Sequence, residues 1–487
     1  MGGYFEEAGL DRLREEYPVG DAFLAGPARL GCDELRDLQD RRFRRVVARG
    51  WEVPFYARRW RAAGLEAGDV RGLEDIEKLP PFSKQDLMES VLEHPPFGDF
   101  HGMDRGMERG RDGKSTGSVP ADGPGSGGPA EAHGAGRYAA VFHTTSGTTG
   151  DPQPIFYGAW DREVQNVLLA RTYRLHGLRD DDIVHSVYGF GMVNGGHYIR
   201  EALLHFTGAR LLTPGTGRDT PSVQQVALMR HFGVTVLVGF ADYLVRLAEV
   251  AREQGIEPTV RLISGHVGAE SRTALSDAWG GASVYDWYGV ADTGCIAAEG
   301  PARDGLHVYE DAHHVELLDA DSDSGRAAPS GEPGALCTTA LFKDTVYPVI
   351  RFDTRDVTRF LPPDTSSGIN FRRISGFEGR ADAMVKLRGI NVYPHAIGAH
   401  LADRKELTGE YVCRLRRHGG RSDLTVVAEV RSGTARGEDL ARDVAGHLRA
   451  RIGVTVAVEL VAAGETARLT GIESRQKPVR LIDEGES

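Results

Sequence analysis

The chain has 487 residues, too many for one compact core, so two or more domains are expected. A hydrophobic content of 40% and a charged content of 26% are ordinary for a globular protein, while a net charge of −12 excludes the basic face a nucleic-acid binder needs. Cys32, Cys295, Cys337 and Cys413 lie far apart with no CxxC pair, which excludes a disulfide framework and a zinc finger and points to a reducing compartment.

The start, Met1-Gly2-Gly3-Tyr4-Phe5-Glu6-Glu7, has neither the basic nor the apolar segment of a signal peptide. No run of about 18 apolar residues follows, so the chain reads as cytoplasmic, with no membrane span. Residues 1–100 read as helical, with surface helices over Leu35–Arg49 and Trp51–Ala63 and Ser83 as a helix N-cap after Leu79-Pro80-Pro81-Phe82. From about Gly102 to Gly136 the pattern disappears. Roughly a third of residues 112–136 are Gly, mixed with Ser, Pro and Ala, which cannot bury enough apolar surface to order themselves. Strand-like Tyr138–Phe142 then leads into Thr144-Thr145-Ser146-Gly147-Thr148-Thr149-Gly150-Asp151-Pro152.

Beyond this loop, apolar strands alternate with helices: Ile183–Val187 then Tyr198–Phe206, Ala209–Leu212 then Ser222–Phe232, Val234–Gly239 then Ala241–Gln254, Val260–Ile263 then Ser271–Trp279. Such alternation implies parallel α/β layering. After Gly305 shorter strands follow, as in a small antiparallel barrel. A small α+β unit closes the chain, with strands near 410–416, 424–431 and 454–461 and a helix over Gly437–Ile452.

Two readings fit the loop at 144–152. Its glycines let successive backbone N–H groups converge, and its hydroxyls add donors, which suits phosphates; a plain surface turn has the same composition. No Lys follows the second Gly, so the GxxxxGK[ST] fingerprint fails. The company the loop keeps favours the phosphate reading. In order come Tyr285-Asp286-Trp287-Tyr288-Gly289-Val290-Ala291-Asp292, Arg351-Phe352-Asp353-Thr354-Arg355-Asp356, Gly379–Pro394 and Lys477. With Gly268-Ala269-Glu270, His307–Asp311 and Tyr347–Arg351, this set resembles the adenylate-forming (ANL) superfamily, most closely its phenylacetate–CoA ligase family, from Leu79 onward.

The resemblance implies an α/β fold: a large N-terminal adenylation domain (1–381) of layered sheets plus a small barrel, and a small mobile α+β C-terminal domain (382–487). It implies ATP-dependent activation of an aryl or arylacetic acid and transfer to CoA, with Mg²⁺ present. Ser146, Gly147, Thr148, Thr149 and Gly150 would hold phosphates. Gly268, Ala269, Glu270, Asp286, Trp287, Tyr288 and Gly289 would form the adenine slot, although Trp287 and Tyr288 also suit plain core packing. Asp356 and Arg380 would hold the ribose, and Asp292 would ligate Mg²⁺ where relatives carry Glu. Lys477 would bridge the acid and the α-phosphate, with Arg475 as a competing candidate. Asp382 would be the hinge that exchanges Lys477 for a face carrying Lys386. Tyr188, Phe190, Met192, Asn194 and His197, with Phe240 and Tyr243, would line the acyl pocket, with a tight loop packed on the core as the alternative for the first five. A homodimer is common among the relatives.

Three departures stand out: Asp151 where relatives commonly carry Lys, Arg355 in place of the Gly of a TGD motif, and Gly398 in place of a frequent Glu. They leave room for a natural-product enzyme with another acceptor, either an amide ligase or a diazotase activating nitrite toward an aryl amine. A degenerate nucleotide-binding module without turnover is a further alternative. His313-His314 reads as a barrel-edge pair rather than a zinc site, having no cysteine partner nearby.

Overall fold

The computed structural model describes residues 3–103, 139–145, 153–257, 259–268, 271–320, 325–363, 367–388, 390–402, 404–418, 421–472 and 478–486. Short apolar runs buried on both faces build its largest sheet. The eight strands run in the order Arg373–Ile374, Leu306–Val308, Gly294–Glu299, Ser283–Val290, Leu262–His266, Val236–Phe240, Ile183–Ser186 and Arg210–Leu212. The strands from Ser283–Val290 to Arg210–Leu212 are parallel. They are linked by the helices Asn194–Phe206, Ser222–Phe232, Ala241–Glu253 and Arg272–Ala278. In such sheets ligands collect beyond the carboxyl ends of the strands. Here those ends carry Phe240 and His266, and Tyr188 follows just beyond Ser186.

The helix Ala159–Leu175 is buried along almost its whole length. Its charges are therefore paired internally, as in Arg171 to Asp311 at 3.0 Å, with both side chains fully buried. A second sheet joins Phe82–Ser83, Phe352–Thr358, Gly334–Ala340 and His313–Leu318, and Gly379–Arg380 also pairs with Phe352–Thr358. Its register sets Asp356 opposite Arg380. The C-terminal elements have their own core, including Val385, Tyr411, Val426 and Leu448. A four-stranded sheet in the order Ala457–Ala462, Arg421–Val430, Leu407–His418 and Leu481–Glu486 packs there with the helix Glu438–Ile452.

Several boundaries differ from expectation. The second surface helix starts at Pro54 rather than Trp51, because the first runs on over Cys32–Glu52 and Pro54 is preset for a first helical position. The helix expected from Tyr198 starts at Asn194, which puts Asn194 and His197 in its first turn. Gly196 permits this: a Cβ there would lie 2.5 Å from the Gly189 carbonyl oxygen. Ser83 caps its helix as expected, its N–H donating to Asp86 Oδ2 at 2.7 Å. The final strand, Leu481–Glu486, was not expected. Of the Gly-rich insertion, only Gly102 and Met103 are among the described residues. No helix among the described residues is long and apolar enough to cross a membrane.

Candidate active site along the sheet edge

Alternation along Ser283–Val290 sends Trp287 and Tyr288 to opposite sides, so the two rings cannot flank one slot together. Trp287 joins the main core, while Tyr288 packs in a separate cluster with Leu336 and Ile374. The Tyr288 hydroxyl donates to Asp356 Oδ2 at 2.8 Å. Arg380 Nη1 donates to Asp356 Oδ1 at 2.8 Å, and its Nε donates to Asp382 Oδ1 at 2.7 Å. Tyr288, Asp356, Gly376 and Phe377 line one depression. A carboxylate has about four acceptor positions, so an aspartate held by Tyr288 and Arg380 is chemically suited to accept from sugar hydroxyls as well. Asp286 takes the N–H of Val267 at 3.1 Å, just before Gly268.

Asp292 lies in the tight connection between Ser283–Val290 and Gly294–Glu299. Gly294 closes that turn at φ 75, and a Cβ there would meet Gln165 at 2.9 Å. Asp292 Oδ1 accepts from Gln153 Nε2 at 2.7 Å and from the Tyr347 hydroxyl at 2.9 Å. Burial raises its pKa, against the opposing pull of the Lys343 charge and those two donors. Lys343 is itself fully buried, and its Nζ donates to the Asp292 carbonyl oxygen at 2.8 Å. Burial lowers the Lys343 pKa, while Asp161 and Asp292 oppose that shift. Gln153 Oε1, on the side chain that bonds Asp292, Thr293 Oγ1, on the next residue, and Thr145 Oγ1, whose N–H donates to the Gln153 carbonyl oxygen at 3.1 Å, are buried without a hydrogen-bond partner among the described residues. Such hard oxygen donors fit magnesium. No group of three or more His, Cys, Asp or Glu side chains suited to a metal occurs among the described residues, so phosphate oxygens would have to complete the shell.

An aromatic wall gathers residues from the strands Val236–Phe240, Leu262–His266 and Ser283–Val290 and from Tyr188. Tyr188 and Phe240 pack at 4.7 Å between centroids, Phe240 stacks on His266 at 5.2 Å, and His266 contacts Trp287 at 4.0 Å. The Tyr188 hydroxyl bonds His266 Nδ1 at 2.7 Å. Phe190 and His197 form a second group with His143, at 5.2 and 5.1 Å. Met192 is exposed, and its carbonyl oxygen contacts His143 Nδ1. Asn194 ties Arg162 Nη1 to the Tyr157 hydroxyl. Tyr243 stands apart, its hydroxyl shared with Ser222 and Gln225 in another core cluster.

Ser146, Gly147, Thr148, Thr149, Gly150, Ala269, Glu270, Lys477 and Arg475 lie outside the described residues, as does the side chain of Lys386. Gly289 is described: a Cβ there would lie 2.4 Å from the Gly294 carbonyl oxygen. Sequence reasoning missed Gln153, Lys343 and Tyr347 around Asp292, and it missed His266 in the aromatic wall. One signal was available for Lys343: a single lysine set directly after the apolar run Ala340-Leu341-Phe342.

Two of the three departures have local causes, and Asp151 lies outside the described residues. Arg355 takes a left-handed backbone at φ 60, the conformation a glycine holds without strain, and its Nε pairs with Asp353 Oδ2 at 3.2 Å. At Gly398 a Cβ would meet the Tyr411 ring at 2.7 Å, so no glutamate fits.

The family model described as AMP-binding enzyme matches residues 98–340, and the one described as AMP-binding enzyme C-terminal domain matches 389–484. The phenylacetate-coenzyme A ligase of Aromatoleum evansii is 29% identical over 460 residues, covering 90% of this chain and 92% of its own. The phenylacetate-coenzyme A ligase of Pseudomonas putida is 29% identical over 477 residues, covering 93% and 97%. A 2-hydroxyisobutyryl-CoA ligase in its postadenylation state overlays with TM-score 0.78 at 25% identity, covering 94% of this chain and 91% of that one. The same ligase with CoA in its thioesterification state overlays at 0.63, with 26% identity and the same coverage.

Proposed function

Because the chain belongs to the AMP-binding enzyme family, we propose that it is an AMP-forming acid–CoA ligase: it adenylates a carboxylic acid with ATP and transfers the acyl group to CoA. One observation carries the reading. Consecutive residues of a single strand serve both ends of the site, Tyr288 holding Asp356 and Trp287 completing the aromatic wall. A nucleotide on one side and a flat acid on the other would then meet at the strand end, beside Asp292.

The chemistry fits these groups. The acid's carboxylate attacks the α-phosphorus, pyrophosphate leaves, and the CoA thiol then displaces AMP from the acyl carbon. Two anions must approach, and at an effective dielectric near 20 each unit-charge pair at 4 Å costs roughly 4 kcal/mol. Fixed cations and N–H donors must offset that repulsion in a water-poor cleft. In this reading Ser146 to Gly150 cradle the phosphates, Lys477 serves the α-phosphate and the acid, and Asp356 with Arg380 holds the ribose. Gln153, Tyr347 and Lys343 hold Asp292 in its orientation. Magnesium, when bound at Asp292 among the nearby oxygen donors, would neutralise phosphate charge.

The wall of Tyr188, Phe240, His266 and Trp287 favours an aromatic acid, since flat rings pack against aromatic faces. Cytoplasmic ATP and CoA would supply the reaction, with the enzyme as a monomer or homodimer and a place in secondary metabolism. The test is pyrophosphate release by the purified chain over a panel of aryl and arylacetic acids, with and without CoA. Acid-dependent release with CoA thioester formation is expected. Release that needs an aryl amine and nitrite, or an amine acceptor, would overturn the CoA step. No release with any acid would overturn the whole reading.

A further inference from the structure

Arg480 is a cation buried to 5% exposure at the junction of the two parts of the chain, and its partners come from both. Nη1 donates to the Tyr411 carbonyl oxygen at 2.6 Å and to Glu410 Oε2 at 3.1 Å, and the guanidinium lies 4.6 Å over the Tyr411 ring. Glu410 and Tyr411 stand on the strand Leu407–His418 of the C-terminal unit, so they travel with Arg480. Nη2 donates to Asp242 Oδ2, and Asp242 belongs to the large domain, in the first turn of the helix Ala241–Glu253 directly after Phe240 of the aromatic wall.

This division of partners makes a contact that can open. Removing one partner of a buried ion pair is costly because it strands a charge. Here Glu410 stays with Arg480 when Asp242 withdraws, and Asp242 keeps the favourable field of its helix N-terminus. Arg480 also begins the segment that enters the strand Leu481–Glu486, its carbonyl oxygen accepting from Cys413 N–H at 2.9 Å. Lys477 precedes it by three positions in the sequence. The arrangement that contains this pair overlays better on the postadenylation state of the 2-hydroxyisobutyryl-CoA ligase than on its thioesterification state.

We propose that Arg480 and Asp242 form a detachable latch that holds the C-terminal unit in its adenylating orientation, with Glu410 as the resident counter-ion when the latch opens. Arg480 is thus a positioning residue for the first half-reaction and not for the second. The inference rests on the acid-activating reading above.

The full-length chain tests it with Asp242→Asn, a change at a partly exposed carboxylate, and with Asp242→Glu as the conservative rescue. Acid-dependent ATP–pyrophosphate exchange should fall about tenfold in Asp242→Asn, the change carried by one charge-assisted hydrogen bond, and should return in Asp242→Glu. Thioester formation from supplied phenylacetyl-adenylate and CoA should stay at the wild-type rate or rise, with the melting temperature unchanged. Small-angle scattering without ligand should show a broader distance distribution for Asp242→Asn than for wild type. Equal loss in both half-reactions, or an unchanged scattering profile, overturns the latch. If the wild type released no pyrophosphate with any acid, the scattering arm would still decide the latch, and only the reading of activity would fall.

Discussion

Tyr288 aims its hydroxyl at Asp356, 2.8 Å from Oδ2, while the other carboxylate oxygen is gripped by Arg380. In the proposed nucleotide site the carboxylate would thus be fixed before a sugar arrives, and a preset acceptor loses little entropy on binding. Tyr288→Phe should raise the Kd for ATP roughly tenfold, the effect of one hydrogen bond to a charged group. Asp356→Ala should raise it further, because Arg380 also loses a partner. Calorimetry with ATP and each variant reads the effect directly, and unchanged affinity in Asp356→Ala would remove Asp356 from the nucleotide site.

Lys343 has no access to water and faces two acids, Asp161 and Asp292. Lys343→Met should leave those carboxylates without a compensating charge and destabilise the protein by about 3–5 kcal/mol. A thermal melt should show this as a clear drop in Tm. An unchanged Tm would mean that the acids are already neutral and the lysine dispensable to the fold.

Acid should unfold this protein early, for a reason separate from its carboxylates. His176, His185 and His313 are buried, and burial pushes their rings down from 6.5 to about 3, about 4 and about 4. Below pH 6.5 the unfolded chain takes up protons at these rings that the folded chain refuses. Stability from these groups is therefore complete above pH 6.5 and is lost as pH falls toward 4, by up to about 1.4 kcal/mol per unit for each ring. Melting temperatures from pH 7.5 to 4.5 should fall steeply below 6.5. A flat profile down to pH 5 would show that these rings titrate normally.

His266 belongs to the aromatic wall, bonded to Tyr188 and stacked on Phe240. His266→Ala should raise KM for the acid more than KM for ATP, because it bonds Tyr188 and packs on Phe240 and Trp287 of the wall. A parallel rise in both constants would instead indicate general loosening of the sheet edge.

Much of this could be read from the sequence, in physical terms. Val236-Leu237-Val238 and Leu262-Ile263 are buried on both faces, so continuous apolar runs announced parallel strands. The final strand was hidden because Asp483, Glu484 and Glu486 give it no apolar run; it forms because its backbone pairs with Leu407–His418, a non-local contact that no local pattern reports. The pairing of Asp356 with Arg380 was legible through ordered motifs, and the structure adds that Tyr288 shares the same carboxylate. Lys343, Gln153 and Tyr347 escaped because they converge on Asp292 from distant segments. The pocket assignment divided for a simpler reason: Tyr243 lies three residues beyond Phe240, but its hydroxyl turns to Gln225 and away from the wall.

Activation of an acid by this chain would split ATP to AMP. It is tested most directly by incubating the purified chain with ATP, magnesium, CoA and phenylacetate, with benzoate as a second acid, and separating the nucleotides by chromatography. AMP and pyrophosphate are expected in equal amounts, dependent on the acid. Formation of ADP, or no acid-dependent nucleotide product at all, would contradict it.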